Sequence, residues 1–522
     1  MSHFANRRFP LPAFLTVMLL GLALGPVYEC RAAEPGESDQ VASSDLQLTT
    51  PQMPDDLQGA ARDLNERMSA GVDPVDNAAV HLVRLLGDGV FDPGLKEQSL
   101  AMLGVESLGQ APPRFVYFES FIARAAPQDG QQRQALLTRL TKQFRAANGA
   151  HWQSKDSPEL AQYLAANEAA LDELVRISKL PEYYAPILTI EKPPTLLGAS
   201  YAIERRIPYL GQCLAIRATH RMAEGEFDGA VSDLIACHRL ANLLAKGSPL
   251  DVSLAKAHWT DAYAFQAEWA MLASGKLTAD QARQLQKAIQ DLSSIAAAET
   301  AADVGERLIV RQEIEAMAQH DEALYAFFDW TPAKHAEQLK ALRDAKIDWN
   351  LAQKRANEVQ DETVSTLLMS DSKRQNEEIE RLNEELDQWR KRTDADETTL
   401  LEALQADHAA GSRWIGEAVA LALRTNIWQR LCTDRRGRVR RDFVSVGLAL
   451  EEFHRRRGYY PAALADLSPE ILASIPNDSH SQKPFEYVRK DDQHAELICW
   501  GTNRQNDAGR LFDDDLILQL GQ

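Results

Sequence analysis

From about residue 55 to about residue 457, nearly every apolar run steps by three and four, and no segment alternates with period two. Leu57, Ala61, Leu64 and Met68 recur in this way behind Asp55-Asp56. Leu137, Leu140 and Phe144 line a second face, and Leu160, Tyr163, Leu171 and Leu174 a third. Thr278 with Gln281 three residues on is a capping-box signature, predicting a helix that buries Leu285, Ile289 and Leu292. A chain patterned like this has to bury stripes of helix against one another, so the body is expected to be all-helical.

The first 33 residues read differently. Arg7 and Arg8 precede an apolar stretch from Leu11 to Tyr28, followed by Ala32 and Ala33, which is the order of an export signal. The stretch is long for a cleaved signal and short for a span, so an uncleaved N-terminal anchor is the other reading, and the only route to a membrane. Either places the chain outside the cytoplasm: periplasmic, secreted or anchored facing outward. Residues 34–54, polar and acidic, read as a linker. The balance of 57 basic against 76 acidic residues, a net charge of −19, argues against nucleic acid, which needs a concentrated cationic surface.

The remaining expected units are 55–190, 195–330, 334–431 and 433–522. In the second, Arg221 to Leu240 places Gly225, Phe227 and Ala230 as in a tetratricopeptide-like helix pair. Stacked repeats would make a peptide groove, but three are needed and one copy is clear; an ordinary hairpin is the alternative. In the third, Ile379, Leu382, Leu386 and Trp389 form a coiled-coil seam of two heptads, or an arm folded back on the body. Cys213–Cys237 and Cys432–Cys499 are the pairings to draw if the export route oxidises them; buried thiols are the alternative. The basic island Arg435, Arg436, Arg438, Arg440 and Arg441, followed by Arg455, Arg456 and Arg457, reads as the charged outer face of a helix, or as a site for an anionic partner.

No HExxH, GxxxxGK[ST], GxSxG or GxGxxG occurs, and the 12 histidines are scattered, so catalysis has no nominee. His220, Glu224 and Glu226 read as a solvated helix end, and His238 and His258 as packing or surface residues.

From Phe443 the pattern changes. Phe443, Val446, Leu450 and Phe453 give one apolar helix face ending at Gly458; Phe485 to Tyr487, Ala495 to Trp500 and Leu516 to Leu520 alternate as strands. One helix covering a small antiparallel sheet is expected. The GYYPAALADL, IPND…KPFEYV and WGTNRQNDAGRLFDDDLIL segments resemble the globular domain of the major pseudopilin of type II secretion, over about 80 residues. The resemblance implies calcium in the final loop, held by Asp507, Asp513 and Asp515, with Asp514 as a substitute. Calcium takes six to eight hard oxygens, which such a loop can supply. The chain departs from that family where a pseudopilin carries its apolar assembly helix: here stand Arg435 to Arg441, so a filament is not implied. The segments Asn77 to Gly87 and SPELAQYLAANEAALDEL resemble large exported proteins of planctomycete-type bacteria that commonly end in the same module. The sequence thus predicts a mainly α protein with a small C-terminal α+β domain. Its leading function is a non-enzymatic extracytoplasmic scaffold that binds another protein and is linked to type II secretion through that domain. The alternative is a hydrolase of envelope or extracellular polymers with its site between helices.

Overall fold

The computed structural model describes residues 47–53, 59–108, 114–126, 129–189, 195–292, 295, 298–328, 331–344, 346–393, 407–424, 427–501 and 515–521. It is mainly helical, with a three-stranded antiparallel sheet near the C-terminus. The N-terminal helices are α1 (Gly59–Ser69), α2 (Ala78–Leu86), α3 (Lys96–Met102), α4 (Phe118–Ala125), α5 (Gly130–Ala147), α6 (Pro158–Ala166) and α7 (Glu168–Ile177). Strand β1 (Gln47–Leu48) pairs antiparallel with β2 (Val105–Ser107), and Thr49 and Gln52 N–H groups continue the contact to Gly104 and Ala101. So short a ladder leaves no alternation to read from sequence.

Three long helices follow: α8 (Ile207–Glu224), α9 (Phe227–Gly247) and α10 (Asp251–Ala273). The α8–α9 turn is the hairpin expected from Gly225, which sits at φ 87. Its N–H bonds to Met222 O at 3.2 Å and that of Glu226 to Arg221 O at 2.7 Å, which satisfies carbonyls that the helix end would otherwise strand. Phe227 and Ala230 are buried, so the pair closes tightly. Helix α11 (Ala279–Gln290) opens on the expected capping box, with both Thr278–Gln281 bonds made. The stretch Ala298–Thr300 passes through a π-helical turn, Ala301–Glu306, into α12 (Arg307–Gln319).

A second helical layer comprises α13 (Asp321–Phe327), α14 (Pro332–Asp344), α15 (Trp349–Leu367), α16 (Ser372–Thr393) and α17 (His408–Leu423). Together with α12 it has its own core of Val310, Ile314, Met317, Val359, Ile415 and Val419. The α16 seam is covered from within the chain: Ile379 and Leu382 pack with Leu367, Ile427 and Leu431, and Leu386 joins the second core.

The last helix, α18 (Ile427–Arg457), starts well before Phe443, and the sheet runs β3 (Glu486–Arg489), β4 (Ala495–Cys499), β5 (Leu516–Leu520). Its C-terminal half covers the sheet, with Phe443 edge-on to Phe485 at 5.4 Å, while the same Phe443 ring stacks on Trp269 of α10 at 5.5 Å. At Gly447 an added Cβ would lie 3.0 Å from Leu518 of β5 and 3.1 Å from Leu272 of α10. Sheet, α18 and α10 therefore share one core, continuous from Ala60 to Leu520. Polar bonds reinforce that seam: Gln286 donates to Ser445 O at 2.9 Å and Arg283 to Glu452 at 2.9 Å.

This burial corrects the reading of the basic island as an outer face for most of its first five arginines, while Arg455, Arg456 and Arg457 are exposed as that reading expects. Arg435 is 6% exposed and donates to Gln375 at 2.7 Å, Arg440 lies over the Phe265 ring at 5.2 Å, and of the five only Arg438 is exposed. Helix α18 is clasped by α10 and α11 on one side and approached by α16 on another, so Arg435, Arg436, Arg440 and Arg441 are drawn partly or wholly inward, while Arg438 and the later Arg455, Arg456 and Arg457 stay exposed. The disulfide reading is corrected as well. The four described cysteines are buried and no disulfide joins them. The Cys237 thiol donates to Gly211 O and Thr260 O, and burial pushes the Cys213 thiol up to about 12.

Candidate functional site

Of the residues expected to hold calcium, Asp507 and Asp513 lie outside the described residues, as does Asp514. Asp515 stands half-buried immediately before β5. Among the described residues, no group of three or more His, Cys, Asp or Glu side chains is arranged to hold a metal.

The helical body instead concentrates its ionisable groups in closed clusters. Arg217, 1% exposed, forks onto Asp233 at 2.6 and 2.9 Å and reaches Asp172 at 2.9 Å, tying α7, α8 and α9. Planar, bidentate pairing of this kind offsets much of the desolvation that burying a guanidinium costs. His238 of α9 lies between two carboxylates of α10, with Nδ1 2.7 Å from Asp261 and Nε2 2.8 Å from Glu268. Burial alone would lower its pKa, but Glu268 and Asp261 override it and hold the imidazolium up to about 10. His220, by contrast, is a half-buried side chain tilted against the Trp152 ring at 4.4 Å and bonded to Ser154 at 2.9 Å.

A third cluster sits at the start of α10. The spacing Ser253-Leu254-Ala255-Lys256 places the hydroxyl and the ammonium one turn apart on one helix face. Both meet Glu204, on the short turn before α8: Ser253 Oγ donates to Oε2 at 2.5 Å, and Lys256 Nζ is 3.7 Å from the same oxygen. Ser248 Oγ donates to Ser253 Oγ at 2.9 Å, and Tyr201 offers its ring face to the ammonium at 4.6 Å. Glu204 is 1% exposed, and burial, opposed by Lys256, raises its pKa. Its other oxygen, Oε1, and the Tyr183 hydroxyl are buried with no hydrogen-bonding partner among the described residues. Glu204 and Tyr201 also line a narrow recess with Asp92, Ser99 and the Ala185–Leu188 segment, whose ≈ 10 Å³ is about the room one water needs. The sequence contained the Ser-x-x-Lys signal, but nothing in its spacing could pair it with a carboxylate 49 residues upstream.

A wider, open groove of ≈ 470 Å³ lies between the first turns of α16 and the loop before β3. Asp371, Lys373, Glu377 and Glu380 line one wall, and Ser481 and Gln482 the other. No family model, no curated protein and no solved structure matches the chain.

Proposed function

We propose that this chain is an extracytoplasmic helical scaffold whose partner is a protein segment carrying basic side chains. The observation that carries the reading is the groove at α16. The apolar seam of that helix is turned into the chain's own core, while the exposed carboxylates Glu377 and Glu380 on it and Asp371 just before it outnumber Lys373 along the opening. A basic segment laid there gains charge complementarity, which steers association and weakens with salt. Among the described residues no helix is long and apolar enough to cross a membrane, and the export signal or anchor lies outside them.

A photo-crosslinking side chain at Gln482, in the full chain within its own envelope fraction, tests this. One protein partner should be captured there and not from a control position at Lys287, and Glu377→Lys/Glu380→Lys should lower capture about tenfold. Equal capture at both positions, or capture indifferent to the charge reversal, contradicts the reading.

The terminal module is proposed to be pseudopilin-like and to connect the scaffold to type II secretion. Calcium bound by Asp507, Asp513 and Asp515 would stabilise it, since a ligand that binds only the folded form raises the melting temperature. The full chain should melt higher with millimolar calcium than with chelator, and Asp513→Ala/Asp515→Ala should abolish the difference. Identical melts in both conditions contradict the calcium assignment.

A further inference from the structure

We propose that the free edge of β3 pairs with β3 of a second copy of this chain, in an antiparallel, two-fold-symmetric joint centred on Val488. The proposal goes beyond the scaffold reading, uses none of the residues that line the groove at α16 and does not depend on it.

Strand β3 is an outer strand: the sheet order is β3–β4–β5, and β4 occupies one of its sides. On the other side no strand lies among the described residues. An outer strand presents a row of backbone N–H and C=O groups that can template another strand. Which groups those are follows from the ladder. Glu486, Tyr487, Val488 and Arg489 stand opposite Ile498, Leu497, Glu496 and Ala495, and the next N–H, that of Lys490, bonds to His494 O at 2.9 Å. Residues of an antiparallel strand alternate in the side to which they bond, so Glu486, Val488 and Lys490 bond towards β4 while Tyr487 and Arg489 point outward. No hydrogen bond joins either outward N–H to another described residue. The edge is accessible as well. Glu486, Val488, Arg489 and Lys490 are exposed, and Tyr459, which lies under the Arg489 guanidinium at 5.9 Å, is 44% exposed.

Self-complementarity names the occupant. Outward residues must meet outward residues across the joint, which sets Tyr487 against Arg489 of the second copy and, by symmetry, Arg489 against Tyr487 of the second copy. Val488 then meets Val488, and Glu486 meets Lys490. A ring faces a guanidinium, a valine covers a valine, and a carboxylate faces an ammonium. Sliding the joint by two residues, the next register that keeps outward groups together, sets Arg489 against Arg489 in one direction and Glu486 against Val488 in the other. Tyr487 Oη donates to Pro461 O at 2.9 Å, so Val488, the next residue, faces the opposite side of the sheet. Its pair is one of the non-hydrogen-bonded kind, in which side chains approach most closely. The edge charges hold partners within the chain: Trp500 Nε1 donates to Glu486 at 2.6 Å and Lys490 Nζ to Glu496 at 2.5 Å. Exposed pairs of this kind are weak, and an ammonium has donors enough to hold two carboxylates. A joint this short gives a weak dimer, formed at micromolar concentration and loosened by salt.

Sedimentation equilibrium of the full chain, from about 1 to about 200 µM, should show a monomer–dimer equilibrium. Arg489→Pro removes one outward N–H and leaves the bonds to β4 intact, since proline is tolerated on outer strands. In a variant that melts like the wild type it should weaken the dimer at least about tenfold. Val488→Cys reads the register. Residues facing each other in a non-hydrogen-bonded pair stand about 4.5 Å apart at Cα, within disulfide reach. Mild oxidation should therefore give a dimer whose linked peptide maps to position 488 in both copies, whereas Glu486→Cys, opposite Lys490, should not link. Should Arg489→Pro fail to fold, the two cysteine variants decide alone. A chain that stays monomeric at every concentration leaves the edge to a strand of another protein and overturns the proposal. So does a dimer as tight in folded Arg489→Pro as in the wild type, or a Glu486→Cys variant that links as fast as Val488→Cys.

Discussion

At the scale of single residues, His238 is the side chain whose behaviour is least like its sequence. A lone histidine in an amphipathic helix reads as packing or surface, and it is indeed packed, but as a cation between Asp261 and Glu268. Those partners lie on the next helix, and no spacing rule reaches them. The sign of its effect follows from the shift. The pKa is about 10 in the folded chain against an ordinary value of 6.5. The imidazolium therefore contributes stability that is whole below about pH 6.5 and is lost as pH rises through about 10. Urea melts across that window should show stability falling with pH. His238→Gln, which leaves two carboxylates facing each other in the interior, should cost about 3–5 kcal/mol and flatten the slope. An unchanged slope in the variant would place the titration elsewhere.

At the scale of elements, what was legible is what is local. The capping box at Thr278, the left-handed turn at Gly225 and the cap at Gly458 each depend on a few neighbouring residues, and each is formed. The strands of the terminal sheet were legible for the same reason: their alternation is local, even though their pairing is not. Non-local placement defeated the reading. The arginines of α18 look solvated in sequence because five cations in seven residues ordinarily face water. Four of the five are drawn inward because α10, α11 and α16 surround the helix, while Arg438 stays exposed, a fact of assembly rather than of pattern. The Ser253 cluster was hidden in the same way, its carboxylate arriving from the turn before α8. Close helix contacts give a direct check on such placement. In α17, a Cβ at Gly416 would stand 1.9 Å from the Ala352 carbonyl oxygen of α15. A backbone oxygen cannot swing aside as a side chain can, so Gly416→Ala should destabilise the second layer by about 1–3 kcal/mol. Chemical denaturation checks it, and a neutral substitution would mean the two helices are farther apart.

At the scale of the whole molecule, the terminal module is not an appendage. Helix α18 serves the sheet with one face and the helical body with another, and the two share Phe443, Gly447 and the continuous core around them. A scaffold benefits from such continuity, because a groove built by α16 and the module's own loop keeps its shape only if the two parts move together. Cutting the chain at the point where the sequence changes character, near residue 443, severs α18 and exposes apolar area on both fragments. Differential scanning calorimetry of the full chain tests this joint construction most directly. Body and module should unfold in one transition for which the calorimetric and van't Hoff enthalpies agree. Two separable transitions, with the module melting at the temperature of an isolated 443–522 fragment, would contradict it.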